Sequence, residues 1–366
     1  MKPIFLNAMS RNGHSLLYQL LADHPQLSFL PGRIHFACRE PRGFPLTGPV
    51  TDLVEQLLAR HTVDIGEQYQ DYQSIPITDF ARFPQAEFRR RARASGDLKE
   101  QFHAYLRALF EVFEQTPREY TLIQDDHMYA LGLEMVLPVF PEARFLQPIR
   151  SGFDVVASKK NLMLFHLGHR GDSRSMELTE DALESEWTRW LWSLVVASLC
   201  LAQSPADRYV VCGFEALRGS ARETAMRELC QLWELDWHPV LLEETSSACA
   251  PEHGFSTLML VVPTLKLLGS ARPTSPVKSY QRSLTETEQD TLARLAEPFQ
   301  LPDLGDTPLQ ARQALLDFWS ANQVALRAHP RLGQWLLWYE QGQPVRAFDD
   351  YSAWNYGRAQ ATRAFR

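Results

Sequence analysis

Two short blocks carry the side chains in this chain best suited to hold an anion. The first is Ser10-Arg11-Asn12-Gly13-His14-Ser15, between an apolar run at residues 3–9 and a leucine pattern at Leu16, Leu17, Leu20 and Leu21. An apolar run followed by leucines at helical spacing predicts a strand, a tight loop and a helix. A helix N-terminus offers unpaired N–H groups and a partial positive charge; Gly13 permits close backbone approach, Ser15 adds a hydroxyl and Arg11 a forked cation. The lysine and Ser/Thr pair of a nucleoside triphosphate loop is missing, because His14 follows Gly13. From these residues alone, the segment is equally a turn whose polar groups only cap a helix.

The second block, "ARFLQPIRSGFDVVASKK", predicts a strand ending at Arg150 and a helix that carries Ser158. Arg150 and Ser158, about two turns into that helix, can converge on one phosphate from different elements. Two anion sites in one sheet are far more specific than either alone.

The elements between the blocks must hold them in place. "DLKEQFHAYLRALFEVFEQTP" reads as an amphipathic helix, and "YTLIQDDH" as a strand entering a polar loop. A Trp-rich helix is expected from about Glu184 to Gln203, then a strand "YVVCGFEAL" and a helix "ARETAMRELCQLWEL". This alternation predicts an α/β fold with three α/β/α layers and a mainly parallel central sheet, in which ligands bind at the carboxyl ends of strands. Residues 1–300 are read as that domain and 301–366 as a helical C-terminal extension.

Composition limits the function classes. The 366 residues are 45% hydrophobic and 22% charged with a net charge of -7, which suits a folded globular protein and disfavours bulk attraction to nucleic acid. The five cysteines include no CxxC pair, so neither a zinc cluster nor a full disulfide framework is expected, and reduced cytoplasmic thiols are the default reading. No signal peptide and no membrane span is read from the apolar runs.

"PIFLNAMSRNGHSLLYQLLADHP" resembles the 5'-phosphosulfate-binding opening of sulfotransferases that use 3'-phosphoadenosine 5'-phosphosulfate (PAPS). "ARFLQPIRSGFDVVASKK" is similar to the same family's 3'-phosphate block, and "YVVCGFEAL" to its later "YEDL"-type strand. The resemblance implies a P-loop-nucleotide-hydrolase-like fold and a PAPS-dependent sulfotransferase releasing 3'-phosphoadenosine 5'-phosphate (PAP). It implies Arg11, Asn12, Gly13, His14, Ser15, Arg150 and Ser158 as nucleotide-binding residues. Lys278, in "RPTSPVKSYQRSL", corresponds to the basic loop that closes over the nucleotide. The expected partner is a small-molecule acceptor, with no nucleic acid and no membrane; a homodimer is compatible with it, and no metal is expected.

Arg11 and two histidines are the candidate catalytic residues. His127, in "QDDHMY", resembles in position the catalytic His of the cytosolic members, although the flanking Lys and Leu-Pro are absent; as a lone residue it is equally a surface histidine. His35, in "HPQLSFLPGRIHF", matches the spacing of an active-site His in heparan sulfate sulfotransferases, where Arg33 stands in place of their base glutamate. A guanidinium cannot accept the proton. The alternatives are a kinase-like phosphoryl transferase and a catalytically inactive nucleotide-binding homologue.

Overall fold

The computed structural model describes residues 1–9, 11–29, 86–87, 90–91, 98–112, 116–126, 133–167, 171–243, 280–341 and 364–365. Its described strands are β1 (Lys2–Ala8), β2 (Leu27–Phe29), β3 (Tyr120–Asp126), β4 (Arg144–Ile149) and β5 (Tyr209–Gly213). They form one sheet in the order β2-β3-β1-β4-β5, with every pairing parallel. The chain moves from β1 to one side of the sheet and returns to the other, so β1 lies at the switch point where α/β sheets open a crevice.

Strand alternation builds the layers on either face. Phe5, Ile123, Phe145, Tyr209 and Val211 point into one core, whereas Ile4, Leu6, Leu122, Leu146, Val210 and Cys212 point into the other. Side chains two residues apart share a face, so a fully buried sheet needs apolar residues at both parities. Full burial of each such group stabilises the fold by about 2 kcal/mol.

The second face is covered by α1 (His14–Ala22), through Leu17, Leu20 and Leu21, and by helices after β5. The first is covered by α2 (Leu98–Val112), α3 (Leu133–Val136), α4 (Gly152–His166) and α5 (Glu180–Gln203). α3 is shorter than the apolar run "LGLEMVLPVF" suggests; Pro138 disfavours helical geometry at Leu137. α5 starts earlier than the tryptophan pattern predicts, because Thr179 caps it by accepting from Ala182 N–H, and Glu180 and Asp181 suit the positive end of its dipole.

The strand read as "YVVCGFEAL" is divided. β5 ends at Gly213, and Phe214–Arg218 forms α6, followed by α7 (Arg222–Trp233). Glu, Ala, Leu and Arg are good helix formers, and local propensity prevails once the sheet ends. Later come α8 (Tyr280–Ser283), α9 (Glu286–Ala296), α10 (Pro308–Ala328) and α11 (Pro330–Glu340). α10 lies on α5, where Arg312 donates to the carbonyls of Leu201 and Ser204 at 2.7 and 2.8 Å and so satisfies the end of that helix. Among the described residues no helix is long and apolar enough to cross a membrane.

Pro148 shapes the site. The β1–β4 ladder pairs only Ile4–Leu6 with Arg144–Leu146, although both strands continue for two or more residues, whereas the β4–β5 ladder runs on through Pro148 to Gly213. Proline has no N–H to give to a ladder. β1 and β4 therefore stop pairing just before the loops that follow them.

Candidate active site at the ends of β1 and β4

The loop after β1 is built to expose backbone donors. Gly13 is the N-cap of α1 with φ of 104° and no side-chain cap, so the N–H groups opening the helix receive no capping oxygen from that position. Arg11 also adopts a left-handed backbone, with φ of 77°, which costs a non-glycine residue about 1 kcal/mol. Such turns present successive N–H groups to one point and make anion nests. Asn12 N–H closes the turn onto the Met9 carbonyl at 3.2 Å.

Asn12 joins the two blocks through the backbone. Its Oδ1 accepts from Arg150 N–H at 3.0 Å, and its Nδ2, fully buried, has no hydrogen-bond partner among the described residues. A buried amide donor without a partner costs roughly 1–3 kcal/mol, a cost that an anion reaching it would remove. The fit to a phosphate or sulfonate oxygen is chemical: amide N–H, helix N–H and guanidinium are all donors.

Arg11 joins the blocks through side chains. Its Nε donates to Ser158 Oγ at 2.8 Å, across 147 residues of sequence. Ser158, expected to converge with Arg150, thus also belongs to the first loop. His14 is buried at the first position of α1, and only the backbone of Ser15 is described.

Arg150 is held on every side. Its carbonyl accepts from Trp190 Nε1 at 2.9 Å, its guanidinium lies 4.8 Å above the Phe214 ring, and Nη2 is 3.7 Å from Asp154 Oδ1. Burial pulls its pKa down, while the charges of Asp154 and Glu215 act the other way. Glu215 accepts from Ser151 N–H at 3.0 Å, and burial pushes its pKa up. A buried guanidinium fixed beside an aromatic face and two carboxylates is a forked donor of set position, which is the chemistry an anion would use.

His127, His35 and Lys278 lie outside the described residues. Phe214, Glu215 and Asp154 are the groups that sequence reasoning missed. Asp154 stood in the quoted "DVV" run, but Phe214 and Glu215 were read as strand, which concealed that they open a helix beside Arg150.

A model of the sulfotransferase family matches residues 3–239, a stretch containing both loops. The chain belongs to the sulfotransferase family. No curated protein matches it significantly. Among solved structures, this sulfotransferase is similar to the sulfotransferase domain of the curacin biosynthetic pathway (17% identity, 81% of this chain and 98% of that one, TM-score 0.42). It is also similar to the sulfotransferase domain of the Synechococcus PCC 7002 olefin synthase (17%, 82% and 96%, TM-score 0.41). A third is a sulfotransferase from Alicyclobacillus acidocaldarius (17%, 77% and 99%, TM-score 0.40). The five-stranded parallel sheet with helices on both faces agrees with the P-loop-like α/β fold expected of the family.

Proposed function

We infer that this sulfotransferase moves a sulfuryl group from PAPS to a hydroxyl or amine of a small organic acceptor by in-line transfer, releasing PAP. The observation that carries this reading is the 2.8 Å bond from Arg11 to Ser158. It ties the loop after β1 to the helix after β4, so two donor-rich loops at adjacent strand ends suit a ligand with two separate anionic groups. A nucleotide phosphorylated at both the 3' and 5' positions has that form.

The donor would supply a sulfuryl group on a phosphate leaving group. Arg11, Asn12, Gly13, His14 and Ser15 would hold the 5' side, with their N–H groups and the Arg11 charge opposing the negative charge that grows on the bridging oxygen. Arg150 and Ser158 would hold the 3'-phosphate, joined by Lys278 on the strength of its sequence context. As the acceptor oxygen or nitrogen bonds to sulfur and the bridging S–O bond breaks, a base takes the acceptor proton; His127 and His35 are the two sequence candidates. Cys212 and Cys230 are buried free thiols, in keeping with a cytoplasmic site of action.

Thermal denaturation with PAP tests the nucleotide. A ligand that binds only the folded state at 100 times its Kd stabilises by about 2.7 kcal/mol. PAP should raise the melting temperature without magnesium. Stabilisation by magnesium-ATP and none by PAP would instead favour phosphoryl transfer. His127→Ala and His35→Ala then separate the bases: loss of turnover with PAP affinity retained marks the base, and full turnover in both variants rejects both.

A further inference from the structure

We propose that Phe214 is a positioning residue that sets the geometry of both anion loops at once, and that the preference of this site for a 3'-phosphorylated nucleotide depends on it through Arg150. The proposal rests on the nucleotide reading above.

Two independent contacts converge on this one ring. A β-carbon added at Gly13 would lie 2.1 Å from Phe214 Cδ2 and 2.7 Å from Cε2, so the ring edge fills the space a side chain would take in the first loop. The ring face lies 4.8 Å beneath the Arg150 guanidinium of the second loop. Phe214 is buried, and its backbone opens α6 directly after Gly213 ends β5. A rigid aromatic from a third strand end thus separates the two loops and touches both.

The two contacts do different work. Against Gly13 the ring acts as volume, and any apolar side chain of similar size would serve. Under Arg150 it acts through its quadrupole, which attracts a cation held over the face and has no aliphatic equivalent. Asp154 Oδ1, 3.7 Å from Arg150 Nη2, acts on the guanidinium by charge. The ring orients that plane, and a forked donor binds phosphate well only when its plane is set.

Substitutions can therefore separate volume from quadrupole. Binding of PAP and of adenosine 5'-monophosphate to the full chain would be measured by calorimetry, and the ratio of their affinities isolates the 3'-phosphate. Phe214→Leu keeps the packing on Gly13 and removes the π face, so the ratio should fall by roughly three- to thirtyfold while affinity for the monophosphate stays within about twofold. Phe214→Tyr keeps the face and should retain the wild-type ratio. Phe214→Met, made in parallel, serves as the aliphatic variant if the leucine variant does not fold. A wild-type ratio in the aliphatic variant, or a lost ratio in the tyrosine variant, overturns the proposal. If the wild-type chain itself shows no preference for PAP, the nucleotide reading fails first, which is a separate and recognisable result.

Discussion

Arg11 Nε lies 2.8 Å from Ser158 Oγ, and through this bond the loop between β1 and the first helix meets the second turn of the helix after β4. The backbone of Arg11 is left-handed at φ 77°, so the side chain reaches Ser158 at a conformational cost. Strain of about 1 kcal/mol in a loop is retained when function requires the geometry. Arg11→Gly removes the strain together with the bond, whereas Arg11→Ala removes only the bond. The glycine variant should therefore be the more stable of the two by about 1 kcal/mol in urea denaturation, and PAP should stabilise neither as it stabilises the wild type.

Ser158→Ala tests the other end of the same bond. The hydroxyl is half-buried and accepts from a cation, so its loss should weaken PAP binding by about three- to tenfold, by the usual contribution of one hydrogen bond. Calorimetry showing unchanged affinity would mean that neither the hydroxyl nor its bond to Arg11 contributes to PAP binding.

Gly13 should tolerate no side chain. Its φ of 104° disfavours any L-residue, and an added β-carbon meets the Phe214 ring at 2.1 Å. Gly13→Ala combines backbone strain with overpacking, each costing about 1–3 kcal/mol, so a drop in stability of 2 kcal/mol or more is expected by denaturant titration.

Acid should destabilise the fold from the neutral side. His24, His103 and His329 all have pKa values lowered below 6.5 by burial. A histidine with a depressed folded pKa is neutral in the native state while the unfolded chain still takes up a proton, so its stability is present above 6.5 and lost as pH falls through the folded value. Urea denaturation at pH 7.5 and 5.5 should show lower stability at the acid end. His103→Leu should reduce that slope, because burial is the main cause of the lowered pKa of His103 and its Nε2 has no hydrogen-bond partner among the described residues.

The buried pair of Lys160 and Glu288, 2.6 Å apart and with both side chains fully buried, fastens α4 to α9. Glu288 also accepts from the N–H groups of Leu178 and Thr285, both at 2.7 Å, so every strong interaction it makes is internal. Glu288→Ala leaves an uncompensated buried ammonium and should cost about 3–5 kcal/mol in chemical denaturation. A loss below 1 kcal/mol would show that Lys160 finds water or another partner.

The layered parallel fold and the strand-loop-helix form of the two blocks were legible in the sequence because they rest on local signals. Apolar alternation marks β1 and β4, leucine spacing marks α1, and a glycine before a helix marks an open N-terminus. The tertiary structure alone decided how the blocks meet. Arg11 reaches Ser158, and Asn12 holds Arg150, across 147 and 138 residues, separations at which no periodicity in the chain can pair one residue with another. It also moved Phe214 from the expected strand into a helix start between Gly13 and Arg150. That residue looked like one more apolar position of β5, since the pattern records that a side chain is buried but not what it is buried against.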